Sequence, residues 1–119
     1  MLLVKTVAGP STTAGTGLFA AEDIPADTLV WKFDSAVDSA APLTPETSFF
    51  YSYISKQSGL VITPGDDARH INHSLTPNTG TRYEEGVEED INFALRDIPK
   101  GEEITINYNG FAKEGVDFE

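Results

Sequence analysis

The chain has 119 residues, and its 19 Asp and Glu against 8 Lys and Arg give a formal net charge of −11. Such a field repels phosphates and attracts Lys- and Arg-rich segments, which argues against a nucleic-acid binder and favours basic partners, or else it only keeps a small protein soluble. With no cysteine, a disulfide framework, a thiol nucleophile and thiolate-held zinc or iron–sulfur clusters are excluded too.

A mass of 12.9 kDa fits one domain, which buries roughly two thirds of its unfolded surface without covalent staples. The apolar start Leu2, Leu3, Val4 meets Lys5 and stops at Gly9 and Pro10. It is too short for a signal-peptide core or a bilayer span, so the expectation is a soluble intracellular protein with no membrane or direct nucleic-acid partner.

Leu2 to Val7 reads as a strand, followed by a Ser/Thr/Gly loop ending at Gly17. Leu18 to Ala21 and Thr28 to Phe33, separated by a break around Pro25, suit a second pair of short strands lying side by side. Asp34 to Thr44 lacks periodicity and reads as loop. Pro45 to Lys56 suits a short helix, with Thr44 as N-cap, Pro45 at the first helical position and Glu46 in the first turn. Leu60 to Thr63 is a brief strand closed by Pro64 and Gly65.

A long polar loop then carries Arg69, His70, Asn72, His73, Ser74, Pro77 and Asn78, whose side chains compete for backbone hydrogen bonds. The acidic run Glu84, Glu85, Glu88, Glu89, Asp90 around Gly86 reads as a solvated hairpin tip or a landing patch for a basic peptide. Ile91, Phe93 and Leu95 alternate with Asn92, Ala94 and Arg96 as in a half-buried strand, and Ile104 to Tyr108 forms a further strand after the turn at Pro99 to Glu102. Many short strands, frequent turns and at most one short helix make the fold mainly β.

Three segments bear chemistry. Gly15-Thr16-Gly17 permits positive φ and close approach of a ligand to the backbone, or serves as an ordinary connecting loop. In Arg69 to Asn78 the two histidines stand three apart beside Asp66 and Asp67. Positions i and i+3 of an extended segment face opposite ways, which argues against a metal site, and Asn72, Ser74 and Asn78 could instead satisfy buried backbone groups. Gly101 to Asn109 ends a β-branched strand on Tyr108, a residue type that often packs with its hydroxyl at the rim.

In this order and spacing the three segments resemble the SET-domain protein lysine methyltransferases over nearly the whole chain. Gly15-Thr16-Gly17-Leu18-Phe19-Ala20 with Asp23-Ile24-Pro25 matches the first motif. Arg69 through Asn78 matches the Arg-Phe-x-Asn-His-x-Cys-x-Pro-Asn signature, and Arg96 to Ile104 with Tyr108 matches the last motif. The resemblance implies a SET-type β-clip fold of short sheets with a C-terminal pseudoknot, in which S-adenosylmethionine and the target lysine enter a narrow channel from opposite sides. It implies that Gly15, Thr16 and Gly17 offer backbone groups to the cofactor, that Asn72 holds its amino-acid end, that the main chain at His73 meets the adenine, and that Arg69 supports the loop. It makes Tyr108 the catalytic tyrosine, a group that orients rather than attacks, and places Tyr51, Tyr53 and Ile106 along the lysine channel, with no metal.

Departures from the family pattern refine these expectations. Leu75 stands where nuclear members often place a zinc-binding cysteine, and no cysteine follows Tyr108, so Phe111, Phe118 or a second subunit in a homodimer is expected to close the site. His70 replaces the usual Phe. Ile106 precedes Tyr108 by two where many relatives carry Phe or Tyr, which leaves room for di- or trimethylation. The expected unit is a single SET domain over residues 1–119, without a pre-SET or zinc-binding post-SET module, acting on lysine in a basic, histone-like protein. Two other readings remain open at this level: a non-catalytic module that binds basic peptides, and a metal-dependent hydrolase using His70, His73 and Asp66.

Overall fold

Short β-branched runs punctuated by Gly, Pro, Asn and Asp build short strands. The computed structural model describes residues 1–12, 15–42, 53–54, 60–82 and 91–107, with Tyr53 and Ile54 by backbone alone. These residues hold ten strands of two to five residues: β1 (Thr6–Pro10), β2 (Thr16–Ala20), β3 (Leu29–Trp31), β4 (Ser39–Ala41), β5 (Tyr53–Ile54), β6 (Val61–Thr63), β7 (Asn72–His73), β8 (Thr79–Arg82), β9 (Ile91–Ala94) and β10 (Thr105–Ile106). A 3₁₀ helix over Asp67–His70 is the helical element among them, capped by Asp66, whose side chain accepts from the Ala68 amide. The mainly β expectation is met.

β1 and β2 form an antiparallel hairpin from Thr6↔Ala20 to Pro10↔Thr16. β4, β6 and β5 form a second sheet in that order, and the third runs β3-β9-β8-β10-β7. Within it β10 lies parallel to both β7 and β8, between two strands that are consecutive in the chain. The connection from β7 to β8 is fastened to β10 on both sides, by the Ser74 amide donating to the Ile106 carbonyl at 2.9 Å and by Asn78, described below.

Several local expectations give way to long-range pairing. Leu18 to Ala21 and Thr28 to Phe33 are not neighbours, since β2 pairs with β1 and β3 with β9. The other edge of β2 is taken by the segment after Gly101: Gly101 donates to Ala20, Ala20 to Glu102 and Ile104 to Leu18 at 2.8, 2.9 and 2.8 Å. Asp34 to Thr44 is not all loop, because β4 pairs with β6 across Ser39↔Thr63 to Ala41↔Val61. Of the expected helix over 45–56 the structure describes Tyr53 and Ile54, and these pair with Ile62 and Val61 as strand β5. An aromatic and a β-branched residue there gain a sheet neighbour. The other residues of that segment lie outside the described ones. The polar loop after Arg69 contains β7, where β10 supplies the partner.

The alternation in β9 also resolves differently. Ile91, Asn92 and Ala94 are all buried, Phe93 is half-buried and Leu95 is exposed. β9 is flanked by β3 and β8, so both its edges are paired, and residues on both its faces are buried, while Leu95 lies beyond the strand end. β8 and β9 pair antiparallel out to Arg82↔Ile91, so the acidic run joins the two arms of a hairpin, although its own residues lie outside the described ones. The core gathers Leu18, Ile24, Val30, Ile62, Ile98 and Ile104, all at most 1% exposed. At roughly 25 cal/mol per Å² of apolar surface, such side chains supply about 1.5–3 kcal/mol each.

Candidate functional site

The end of the β1–β2 hairpin, β7 and the segment entering β10 meet at one corner. Gly15 has φ +45° and open space where a Cβ would stand, a left-handed conformation that glycine adopts without penalty. Its carbonyl accepts from the Ser11 amide at 2.8 Å, which closes the turn. Gly17 is needed for a different reason: a Cβ there would lie 2.7 Å from Glu103 Oε2 and 3.0 Å from Ser11 Cβ.

Asn72 is buried, and its Nδ2 donates to Glu103 Oε2 at 2.9 Å and to the Thr16 carbonyl at 3.3 Å. The Glu103 carboxylate also accepts from Ser11 Oγ, at 2.8 and 3.0 Å. One carboxylate therefore ties the end of β1, the glycine turn and β7 together. On the neighbouring strand, Ile106 pairs with His73 and Thr105 with Asn72.

Asn78 secures the same region from the other side. It donates from Nδ2 to the Glu103 carbonyl at 2.7 Å and to Glu102 Oε2 at 3.0 Å, accepts from the Thr105 amide at 2.8 Å, and donates its own amide to Thr105 Oγ1 at 3.2 Å. The structural role weighed for Asn72 and Asn78 is present: Asn72 bonds the Thr16 carbonyl at the start of β2, and Asn78 bonds the Glu103 carbonyl and the Thr105 amide at the start of β10. Ser74 does so locally, accepting from the Thr76 amide at 3.0 Å.

The structure thus assembles Gly15, Thr16, Gly17, Asn72, His73 and Ile106. Ile106 is 7% exposed and belongs to the hydrophobic core. Arg69 turns to its own helix, donating to the Asp66 carbonyl at 3.0 Å with its guanidinium 3.8 Å from Asp67. Tyr53 contributes backbone to β5 in the other sheet, while Tyr51, Tyr108 and Phe111 lie outside the described residues. Among the described residues no three His, Asp or Glu gather as metal ligands, and no helix is long and apolar enough to cross a membrane. Sequence reasoning missed Glu103 and Ser11, which are 92 residues apart. A glutamate in a Lys-Gly-Glu-Glu turn looks solvated, and the available signal was a glycine in β2 with no local need for one.

The family model of the SET domain matches residues 15–109. This chain belongs to the SET-domain family. Among curated relatives of this SET domain, the H3 lysine-36 specific histone-lysine N-methyltransferase of Cryptococcus neoformans is 31% identical over 112 residues, covering 80% of this chain and 13% of the relative. Human histone-lysine N-methyltransferase 2B is 33% identical over 106 residues, covering 79% and 4%. The chain therefore spans a small part of the length of these relatives.

Solved structures share the SET fold. A candidate histone methyltransferase of Plasmodium falciparum superposes with a TM-score of 0.62 at 22% identity, covering 90% of this chain and 95% of that one. Polycomb Repressive Complex 2 of Chaetomium thermophilum, in an autoinhibited conformation bound to S-adenosylmethionine, gives 0.65 at 22% identity, covering 92% and 16%.

Proposed function

We propose that this SET domain is a protein-lysine N-methyltransferase that moves a methyl group from S-adenosylmethionine to the side-chain amine of lysine in a basic protein, with histone tails the leading substrate class. The observation that carries the proposal is the convergence of Gly15–Gly17 and Asn72 at one corner, with the Asn72 amide bonded to the Thr16 carbonyl. The relatives named as histone-lysine methyltransferases support it, as does a charge of −11, which draws basic peptides toward the domain.

The residues present fit the cofactor. Gly15 leaves open space beside its backbone, and the nearby Glu103 carboxylate suits a ligand with net positive charge. When bound, S-adenosylmethionine supplies a methyl group activated on a sulfonium. In this reading Gly15, Thr16 and Gly17 offer backbone groups to it, Asn72 holds its amino-acid end, the His73 main chain meets the adenine and Arg69 stiffens the loop.

The protein's task is positioning. A free lysine amine costs roughly 4.6 kcal/mol to present neutral at pH 7, a cost that desolvation and a nearby positive charge reduce. Tyr108, which follows β10 closely in sequence, is assigned the orienting hydroxyl, with Tyr51, Tyr53 and Ile106 along the lysine channel. Ile106 lacks a hydroxyl and leaves room for more than one methyl group. Closure by Phe111 or by a second copy of the chain belongs to the same reading, and a sedimenting monomer at tens of micromolar, in a protein that turns over, would remove the second option.

Calorimetric titration with S-adenosylmethionine tests the assignment. Saturable one-to-one binding that Asn72→Ala abolishes is expected, together with loss of turnover of roughly 10²-fold or more in Tyr108→Phe while cofactor binding persists. A folded protein that binds no cofactor up to millimolar concentration would overturn the enzyme reading in favour of a peptide-binding module.

A further inference from the structure

Glu102 and Glu103 are adjacent in sequence and electrically unlike. Glu102 accepts from Arg96 Nη1 at 2.9 Å, and the pair is neutral. Glu103 is held by neutral donors, the Ser11 hydroxyl and the Asn72 amide, and among the described residues no Lys or Arg forms an ion pair with it. Among the described residues its charge has no cationic partner; it lies directly behind Gly17, 2.7 Å from where a Cβ would stand, and it is half-buried, where screening by water and salt is weaker than at the surface.

We infer that Glu103 makes this pocket charge-selective, favouring the cationic methyl donor over the neutral product that remains after transfer; the inference rests on the function proposed above. The donor carries a sulfonium, an α-ammonium and an α-carboxylate, for a net charge of +1. Loss of the methyl group converts the sulfonium to a thioether and leaves a net charge of zero on a molecule of nearly the same shape. Contacts to adenine, ribose and the amino-acid end cannot separate the two, whereas a fixed carboxylate can. Two unit charges on the order of 8 Å apart are worth roughly 2- to 30-fold in affinity at effective dielectric constants between about 80 and 20. The same bonds that orient Asn72 thereby help the product leave and the next donor bind.

The test is calorimetric titration of the full chain with S-adenosylmethionine and, separately, S-adenosylhomocysteine, for the wild type, Glu103→Gln, Glu103→Asp and Ser11→Ala. Glu103→Gln is expected to lower the donor-to-product affinity ratio by roughly 2- to 30-fold. Glu103→Asp keeps the charge and Ser11→Ala removes a neutral bond, so each leaves the ratio within about twofold of wild type although both affinities fall. Added salt should shrink the wild-type ratio by more than that of Glu103→Gln, which keeps only the field of the remaining acidic groups. Equal loss of both affinities in Glu103→Gln would make Glu103 merely structural and overturn the inference, as would a ratio that collapses in Glu103→Asp. If Glu103→Gln does not fold, Glu103→Ala makes the same charge comparison, with the Glu103→Asp ratio as its control. Wild-type protein that binds neither compound removes the enzyme reading and this inference together, whereas wild-type binding with an unmoved ratio in Glu103→Gln removes the inference alone.

Discussion

Two carboxylates organise different parts of the molecule, and they are held in different ways. Asp38 has a fully buried side chain whose Oδ2 accepts from the Met1 ammonium at 2.6 Å and the Asp34 amide at 2.9 Å, while Oδ1 accepts from the Gly65 amide at 2.9 Å. All three donors belong to the main chain or its end, and together they fix the corner that feeds β4 and β6. Glu103 is half-buried and bonded to a hydroxyl and a side-chain amide. A carboxylate saturated by backbone donors fixes a fold, because those donors have no other place to go. One bonded to rotatable side chains keeps charge and adjustability for a ligand.

Breaking the Asp38 corner should therefore cost stability and spare binding, and disturbing the Glu103 corner should do the reverse. The largest effect is expected from Gly65→Ala, since the added Cβ would stand 1.7 Å from the Val37 carbonyl oxygen and backbone must move. Urea unfolding should show a loss of about 3 kcal/mol, with cofactor affinity of the folded fraction unchanged. Asp38→Ala strands three part-buried donors and should cost about 1–2 kcal/mol in the same measurement, again without altering affinity. Gly17→Ala sharpens the contrast. Its Cβ meets the movable end of Glu103 at 2.7 Å, so stability should fall by only about 1 kcal/mol, while calorimetry shows weaker cofactor binding as Asn72 loses its partner. A Gly17→Ala protein that is strongly destabilised yet binds the cofactor normally would erase the distinction between the two corners.

Most strands could be read from β-branched runs such as Leu60 to Thr63 and Ile104 to Ile106, since half-buried pleated surfaces select those residues locally. Residues Gly15 to Gly17 and Asn72 stood out because their types are unusual for their surroundings, and the structure brings them together. Pairing was less legible. The neighbour of β2 after Ala20 is the segment at Glu102, and β10 slips between β7 and β8, choices that no window of a few residues encodes. The strand at Tyr53 and Ile54 was obscured by a good helix-start signal at Thr44 and Pro45, a case of tertiary pairing overriding local propensity.

By itself the sequence determined the mainly β character, the acidic field, the lack of thiol chemistry and the identity of the motif residues, because each is a property of composition or of short spacing. The tertiary structure decided which strands meet, that Asp38 is a scaffold group, and that Glu103 stands behind the glycine turn with no cationic partner among the described residues. Those outcomes depend on contacts such as Ser11 to Glu103 and Asn72 to Glu103, 92 and 31 residues apart. The entropy of closing such loops is offset by the packing of the whole core rather than by any local preference.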